Sequence, residues 1–190
     1  DRIPLANYGS ITAPTTLGSG GGRYLGSDWP PRAGAGSIEL NIHGTTTVHG
    51  VISTRQIRPT ASRWTGAAGG SIYIRTGWLS GAGSLDARGD SSGADNCGTG
   101  GGGRIAVILT DSESFGAVTM SASGIQSGYY SGAGTIYKEK ASQSNKRGVM
   151  IIDNANITPN SITTNVATQL PPGNYANSSE LARATVILTN

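Results

Sequence analysis

The chain has a single cysteine, a single phenylalanine, three lysines and no long apolar run among its 190 residues, and each shortage excludes something. Cys97 has no second thiol to pair with inside the chain, so it reads as a small residue tucked against backbone or as a handle joining two chains through an intermolecular disulfide. No stretch reaches the roughly 20 apolar residues that a membrane-spanning helix needs, so no membrane span is expected. Charged residues make up only 13% and the formal net charge is +3. Lys138, Lys140 and Lys146 sit in one short stretch and the arginines are scattered, which leaves no footprint for a nucleic acid. Strong helix formers are few. Glycine, at 30 residues, combines with abundant serine, threonine and asparagine into the composition of an extracellular β protein rather than a compact helical enzyme. The length is enough for one domain with a core of its own.

Three of the glycines, Gly98, Gly100 and Gly103, match the G-x-G-x-x-G spacing of a dinucleotide cradle. That cradle works because a helix follows the glycines and offers its free N–H groups and positive dipole end to a pyrophosphate. Here Arg104-Ile105-Ala106-Val107-Ile108-Leu109 follows, a segment whose β-branched residues predict a strand. No cofactor is expected, and the glycines need another explanation.

Comparison of the chain with itself supplies one. Gly36-Ser37-Ile38-Glu39-Leu40-Asn41-Ile42, Gly70-Ser71-Ile72-Tyr73-Ile74-Arg75-Thr76, Gly103-Arg104-Ile105-Ala106-Val107-Ile108-Leu109 and Gly134-Thr135-Ile136-Tyr137-Lys138 share one pattern, repeating every 31 to 34 residues. A second apolar stretch follows at a nearly constant offset, at residues 51–55, 84–88 and 119–123, and then a Gly/Ser-rich connector. Within each first stretch the alternation has period two, sending Ile38, Leu40 and Ile42 to one face and Glu39 and Asn41 to the other. If each unit is one coil, Ile38, Ile72, Ile105 and Ile136 form one interior ladder and Ile52, Leu85 and Met120 a second, with coils about 4.8 Å apart. The predicted fold is all-β, a right-handed parallel β-helix of three to four coils, the hand following the rule for parallel crossovers. Its glycines mark corners where the backbone needs positive φ or must let the next coil approach closely.

Residues 69–89, with Gly-Gly-Ser-Ile-Tyr-Ile-Arg-Thr-Gly and Leu-Ser-Gly-Ala-Gly-Ser-Leu-Asp-Ala-Arg-Gly, and the Gly-rich run ending in Arg104-Ile105-Ala106-Val107 resemble the glycine-rich repeats of secreted or surface-displayed β-helix proteins, such as autotransporter passengers and polymorphic outer-membrane proteins. The likeness spans residues 18–154. It implies an extracellular or cell-surface location and a β-helix; the superfold hosts adhesins, fibres and polysaccharide lyases alike, so it does not by itself choose a function.

The ends do not repeat. Residues 1–17 are read as an N-terminal tail or cap and 155–190 as a C-terminal cap or a segment exchanged with a neighbour. Lys138 and Lys140 fall in inward slots, which predicts that the register is lost near residue 138. Val149–Ile152 reads as a last strand and Ala184–Leu188 as a free-standing one. A solenoid's terminal coils expose backbone edges that must be capped or paired, so self-association into a homo-oligomer or fibre is expected.

Chemistry is sparse. Asp111 and Glu113, two apart on extended chain, are the best pair of carboxylates for acid/base work, but they lie where a solvated turn is expected. The outward acids Glu39 and Asp86 fall in different coils and do not assemble a Ca²⁺ cluster. His43 and His49 flank a threonine-rich turn without an acid or thiol at ligand spacing, so no metal is expected. Ligand binding has more to work with. Tyr73, Trp64 and Trp78 recur at outward or corner positions together with Arg75 and Arg88, and flat rings with interspersed guanidinium groups suit sugars and anionic glycans; the rings could equally lie over glycine backbone to exclude water. The expected function is therefore an extracellular structural or adhesive β-helix, with polysaccharide binding or cleavage as the alternative.

Overall fold

The computed structural model describes residues 9–22, 32–56, 65–91, 98–127, 129–157 and 180–189. It is a β-solenoid of about three turns. The first coil contributes β1 (Ser37–Thr47) and β2 (Val51–Ser53), the second β3 (Ser71–Ser80) and β4 (Ser84–Asp86), and the third β5 (Arg104–Leu109) and β6 (Thr119–Ser121). A small hairpin of β7 (Gln126–Ser127) and β8 (Tyr129–Tyr130) leads to β9 (Thr135–Glu139), which opens a fourth coil; β10 (Val149–Asp153) and β11 (Thr185–Thr189) close the chain. A 3-10 turn at Ala141–Gln143 is the one helical element among the described residues.

Two sheets carry the coils. In the larger, the order is β1-β3-β5-β9-β10-β11, and pairing is parallel from β1 through β9. The smaller is the parallel stack β2-β4-β6. Register follows the sequence repeat: Ile38 pairs with Ile72, Ile72 with Ile105 and Ile105 with Ile136. Ile52, Leu85 and Met120 form the matching column across the smaller sheet. The two columns meet in one core, where Ile72, Ile74, Leu85, Ile105 and Val107 are completely buried. Each such side chain removed from water stabilises the fold by about 1.5–3 kcal/mol.

β1 and β3 are longer than the repeat requires because they run on around a corner. Their pairing skips between Ile42 and Thr45 and resumes with Thr45 against Trp78 and Thr46 against Leu79. Thr45–Thr47 is thus strand rather than turn, and His43 lies within β1. At the bend, Thr76 is fully buried, accepts from the Thr46 hydroxyl at 2.9 Å and donates to the Gly44 carbonyl at 2.9 Å, so its hydroxyl is satisfied without water.

Gly100 and Gly103 of the G-x-G-x-x-G spacing are corner residues of the third coil. A Cβ on Gly100 would overlap the Ala67 carbonyl oxygen of the coil below, and one on Gly103 would overlap that of Gly70. Positive φ is not the reason. Among the described glycines only Gly9, Gly81 and Gly116 adopt it. Close approach of successive coils is what demands glycine here, and the Gly103 amide hydrogen-bonds the Ala87 carbonyl at 2.7 Å in the same corner.

Two expectations about the end of the solenoid need correction. The register is not lost at Lys138, which stands in line with Val107, while Glu139 still pairs with Ile108. What changes beyond Glu139 is direction: the chain turns through Asn145 and Lys146, both at positive φ, and β10 returns antiparallel to β9. Lys138 fits its inward slot because its long stem carries the ammonium to the face of the Phe115 ring, 4.4 Å from the centre. Second, β11 is not free-standing; it pairs parallel with β10 from Val149↔Thr185 to Asp153↔Thr189. The outward face of the larger sheet is covered in part. Ala106, Tyr137 and Met150 form a second core with Ile11, bordered by Leu181 and Ala184, so the described parts of both chain ends cover that face over the later coils.

Ile105→Ala should lower the unfolding free energy by about 2–5 kcal/mol in urea titrations, because a fully buried rung leaves a cavity. Gly100→Ala should cost about 1–3 kcal/mol by forcing coils apart, whereas Gly98→Ala, with nothing near its Cβ position, should leave the midpoint nearly unchanged.

Candidate functional site

Side chains leaving the core alternate onto outer faces as in-register ladders. On the larger sheet these are Glu39-Tyr73-Ala106-Tyr137 and Asn41-Arg75-Ile108-Glu139. On the smaller they are Val51-Ser84-Thr119 and Ser53-Asp86-Ser121.

The residues picked out for ligand binding do not share one surface. Tyr73 and Arg75 lie two apart on the larger sheet; Tyr73 is half-buried at the margin of the second core, and burial raises its hydroxyl pKa. Arg75 is exposed beside it. Trp78 is exposed but stands beyond the bend. Arg88 lies two residues past β4 of the other sheet and is engaged by Asp86: Nε donates to Oδ1 at 2.9 Å, Nη2 to Oδ2 at 2.7 Å, and the Arg88 backbone N–H also donates to Oδ1. Burial by itself would raise the Asp86 pKa, but these hydrogen bonds, with the charges of Arg88 and Arg55, hold it below the ordinary carboxylate value. Trp64 and Cys97 lie outside the described residues.

The two carboxylates weighed for acid/base chemistry engage different partners. Glu113 accepts from the Ser142 backbone N–H at 2.8 Å and from its hydroxyl at 2.6 Å, tying the corner after β5 to the 3-10 turn after β9. Those hydrogen bonds lower its pKa. Asp111 is exposed and accepts from Thr110 Oγ1 at 3.1 Å. His43 and His49 are both exposed, and among the described residues no three His, Cys, Asp or Glu side chains gather to hold a metal ion. Also among the described residues, no helix is long and apolar enough to cross a membrane.

Two buried polar clusters were not anticipated. In the first, Tyr137 Oη donates to Glu139 Oε2 at 2.5 Å and accepts from the Gly148 N–H at 3.0 Å. Burial, then the hydrogen bond to the Glu139 carboxylate, pushes the Tyr137 hydroxyl far above its ordinary value. Nearby, buried Glu180 accepts from Ser10 Oγ at 2.5 Å and the Ile11 N–H at 2.9 Å, linking the two chain ends. The sequence repeat carries Tyr137 in its fourth unit but gives no sign of a buried carboxylate partner for it. The available signal was Ala106 and Ile108, apolar residues in outward slots, which mark a face awaiting a cover. In the second cluster Asp90, 1% exposed, forms an ion pair with Arg32 at a glycine corner, where the Gly100 N–H also donates to its backbone carbonyl at 2.9 Å.

Compared with known proteins, the chain matches no protein-family model, no curated protein and no solved structure.

Glu113 stabilises the fold most where it is ionised. Its folded pKa lies below the unfolded one, so the contribution is full above the unfolded pKa and fades as pH falls through the folded value. In urea titrations the stability lead of the native chain over Glu113→Gln should be largest near neutrality and shrink steadily on acidification; a lead independent of pH would show that the charge of Glu113 plays no part.

Proposed function

We propose that this chain is a structural or adhesive element of an extracellular, cell-surface assembly, a stiff β-solenoid that associates with further copies of itself. The resemblance of its repeats to glycine-rich β-helix surface proteins points the same way. The observation that carries the reading is the unbroken interior column, Ile38-Ile72-Ile105-Ile136, in register across four strands and matched by Ile52-Leu85-Met120. Parallel ladders over such a column resist bending and shear together, which is a mechanical property. The acids that chemistry would need have structural partners: Glu113 caps a turn, Asp86 holds Arg88 and Asp90 holds Arg32.

A second reading, polysaccharide binding or cleavage on an outward face, draws on one feature. The Asp86–Arg88 pair stands in a ladder with Ser53 and Ser121, a row of donors and acceptors spaced by the sheet repeat. Hydroxyl-rich ligands suit such a row.

Electron microscopy of the purified chain should show ordered filaments or sheets, and strictly dispersed particles at all concentrations would overturn the structural reading. Retention on a polysaccharide array that is lost in Arg88→Ala, or release of sugar ends that is lost in Asp111→Ala or Glu113→Ala, would establish the alternative.

A further inference from the structure

β11 has a partner along one edge only. β10 pairs with it through all five residues, and among the described residues no strand lies along the other edge. Every residue of β11 is exposed, with Leu188 at 73%, Val186 at 48% and Ile187 at 40%. Such an edge presents unpaired N–H and C=O groups beside apolar side chains. Proteins blunt edges of this kind with lysine, proline or a bulge, and Thr185–Thr189 contains neither residue and no charge of any sign.

The order of its residues selects the occupant. Thr185-Val186-Ile187-Leu188-Thr189 has the same character read in either direction, with threonines outside, aliphatics within and Ile187 at the centre. We infer that β11 is the seat of a two-fold interface in which a second copy of this chain pairs through its own β11, antiparallel and centred on Ile187. Ile187 then faces Ile187 of the second copy, Val186 faces Leu188 and Thr185 faces Thr189. Each is a favourable cross-strand pair, and a two-fold interface requires a surface complementary to itself.

Charge fixes the orientation. Lys146, Arg147 and Arg183 lie just before β10 and β11, and exposed Asp153 ends β10 beside Thr189. Antiparallel pairing brings the basic end of one copy toward the acidic end of the other, whereas parallel pairing would set like charges together. The joint joins two six-stranded sheets into one continuous sheet. This inference rests on the self-association reading above and names the surface that performs it.

The test is the mass of the full chain by light scattering after size-exclusion chromatography, over a range of micromolar concentrations. The native chain should run as a dimer or larger, and Ile187→Lys should lose the two-fold step while its circular dichroism and urea midpoint stay unchanged. Register is read in a Cys97→Ser background. On oxidation Ile187→Cys should form a covalent dimer by itself, and Thr185→Cys should do so only when mixed with Thr189→Cys. Equal cross-linking of Thr185→Cys and Ile187→Cys alone would overturn the register and with it the inference. Filaments that persist unchanged in Ile187→Lys would overturn the β11 joint but leave the self-association reading standing. A native chain that is monomeric throughout would overturn both.

Discussion

Each coil of this chain must settle directly on the one before it, near enough for backbone groups to bond across a gap of about 4.8 Å. Every other feature accommodates that requirement. The corners give up side chains, as at Gly100 and Gly103, because the carbonyls of Ala67 and Gly70 occupy the space a Cβ would need. The flat stretches place Ile, Leu, Val or Met in most inward slots, because a one-residue slip would turn the whole apolar set to water. Stacking and the interior column are therefore one constraint seen from the backbone and from the side chains.

The constraint does not treat the two faces of the larger sheet alike. Its inner face is a dry aliphatic column closed at the last coil by Lys138 lying over Phe115. Its outer face changes character along the stack, from exposed Glu39 and Arg75 to the buried Tyr137–Glu139 pair. Buried polar groups are costly when unpaired. Here the tyrosine hydroxyl is both donor and acceptor, and Glu180 is satisfied by the backbone and side chain of the opposite chain end. The cover over the later coils is thus fastened by directional bonds as well as by Ile11 and Met150.

The coil fold was legible because its determinants are local and repeated. The phase of Gly36, Gly70, Gly103 and Gly134 and the period-two placement of isoleucine predicted both ladders residue for residue. Lys138 misled because a long side chain in an inward slot can carry its charge out to a ring face, as it does over Phe115. The direction of β10 and the partner of β11 were not readable, since reversal and pairing depend on which distant segment arrives. Glu180 meets Ile11 across 169 residues, and no short-range pattern encodes that meeting. The ligand-binding candidates suffered in the same way. Alternation told that Tyr73, Arg75 and Arg88 point outward, but the corner between sheets decides which of them share a surface.

The bond from Glu180 to the Ile11 amide also sets an order of events. During synthesis the segment around Ile11 leaves the ribosome well before the strands it covers, β5, β9 and β10, and before the carboxylate that holds it. Coils can zip one on another as they emerge, each adding to a finished neighbour. The segment around Ile11 must wait, its loop closed only once Glu180 has arrived, and contacts of such long sequence separation are slow to form. Residues made before the coils are in this way seated only after them.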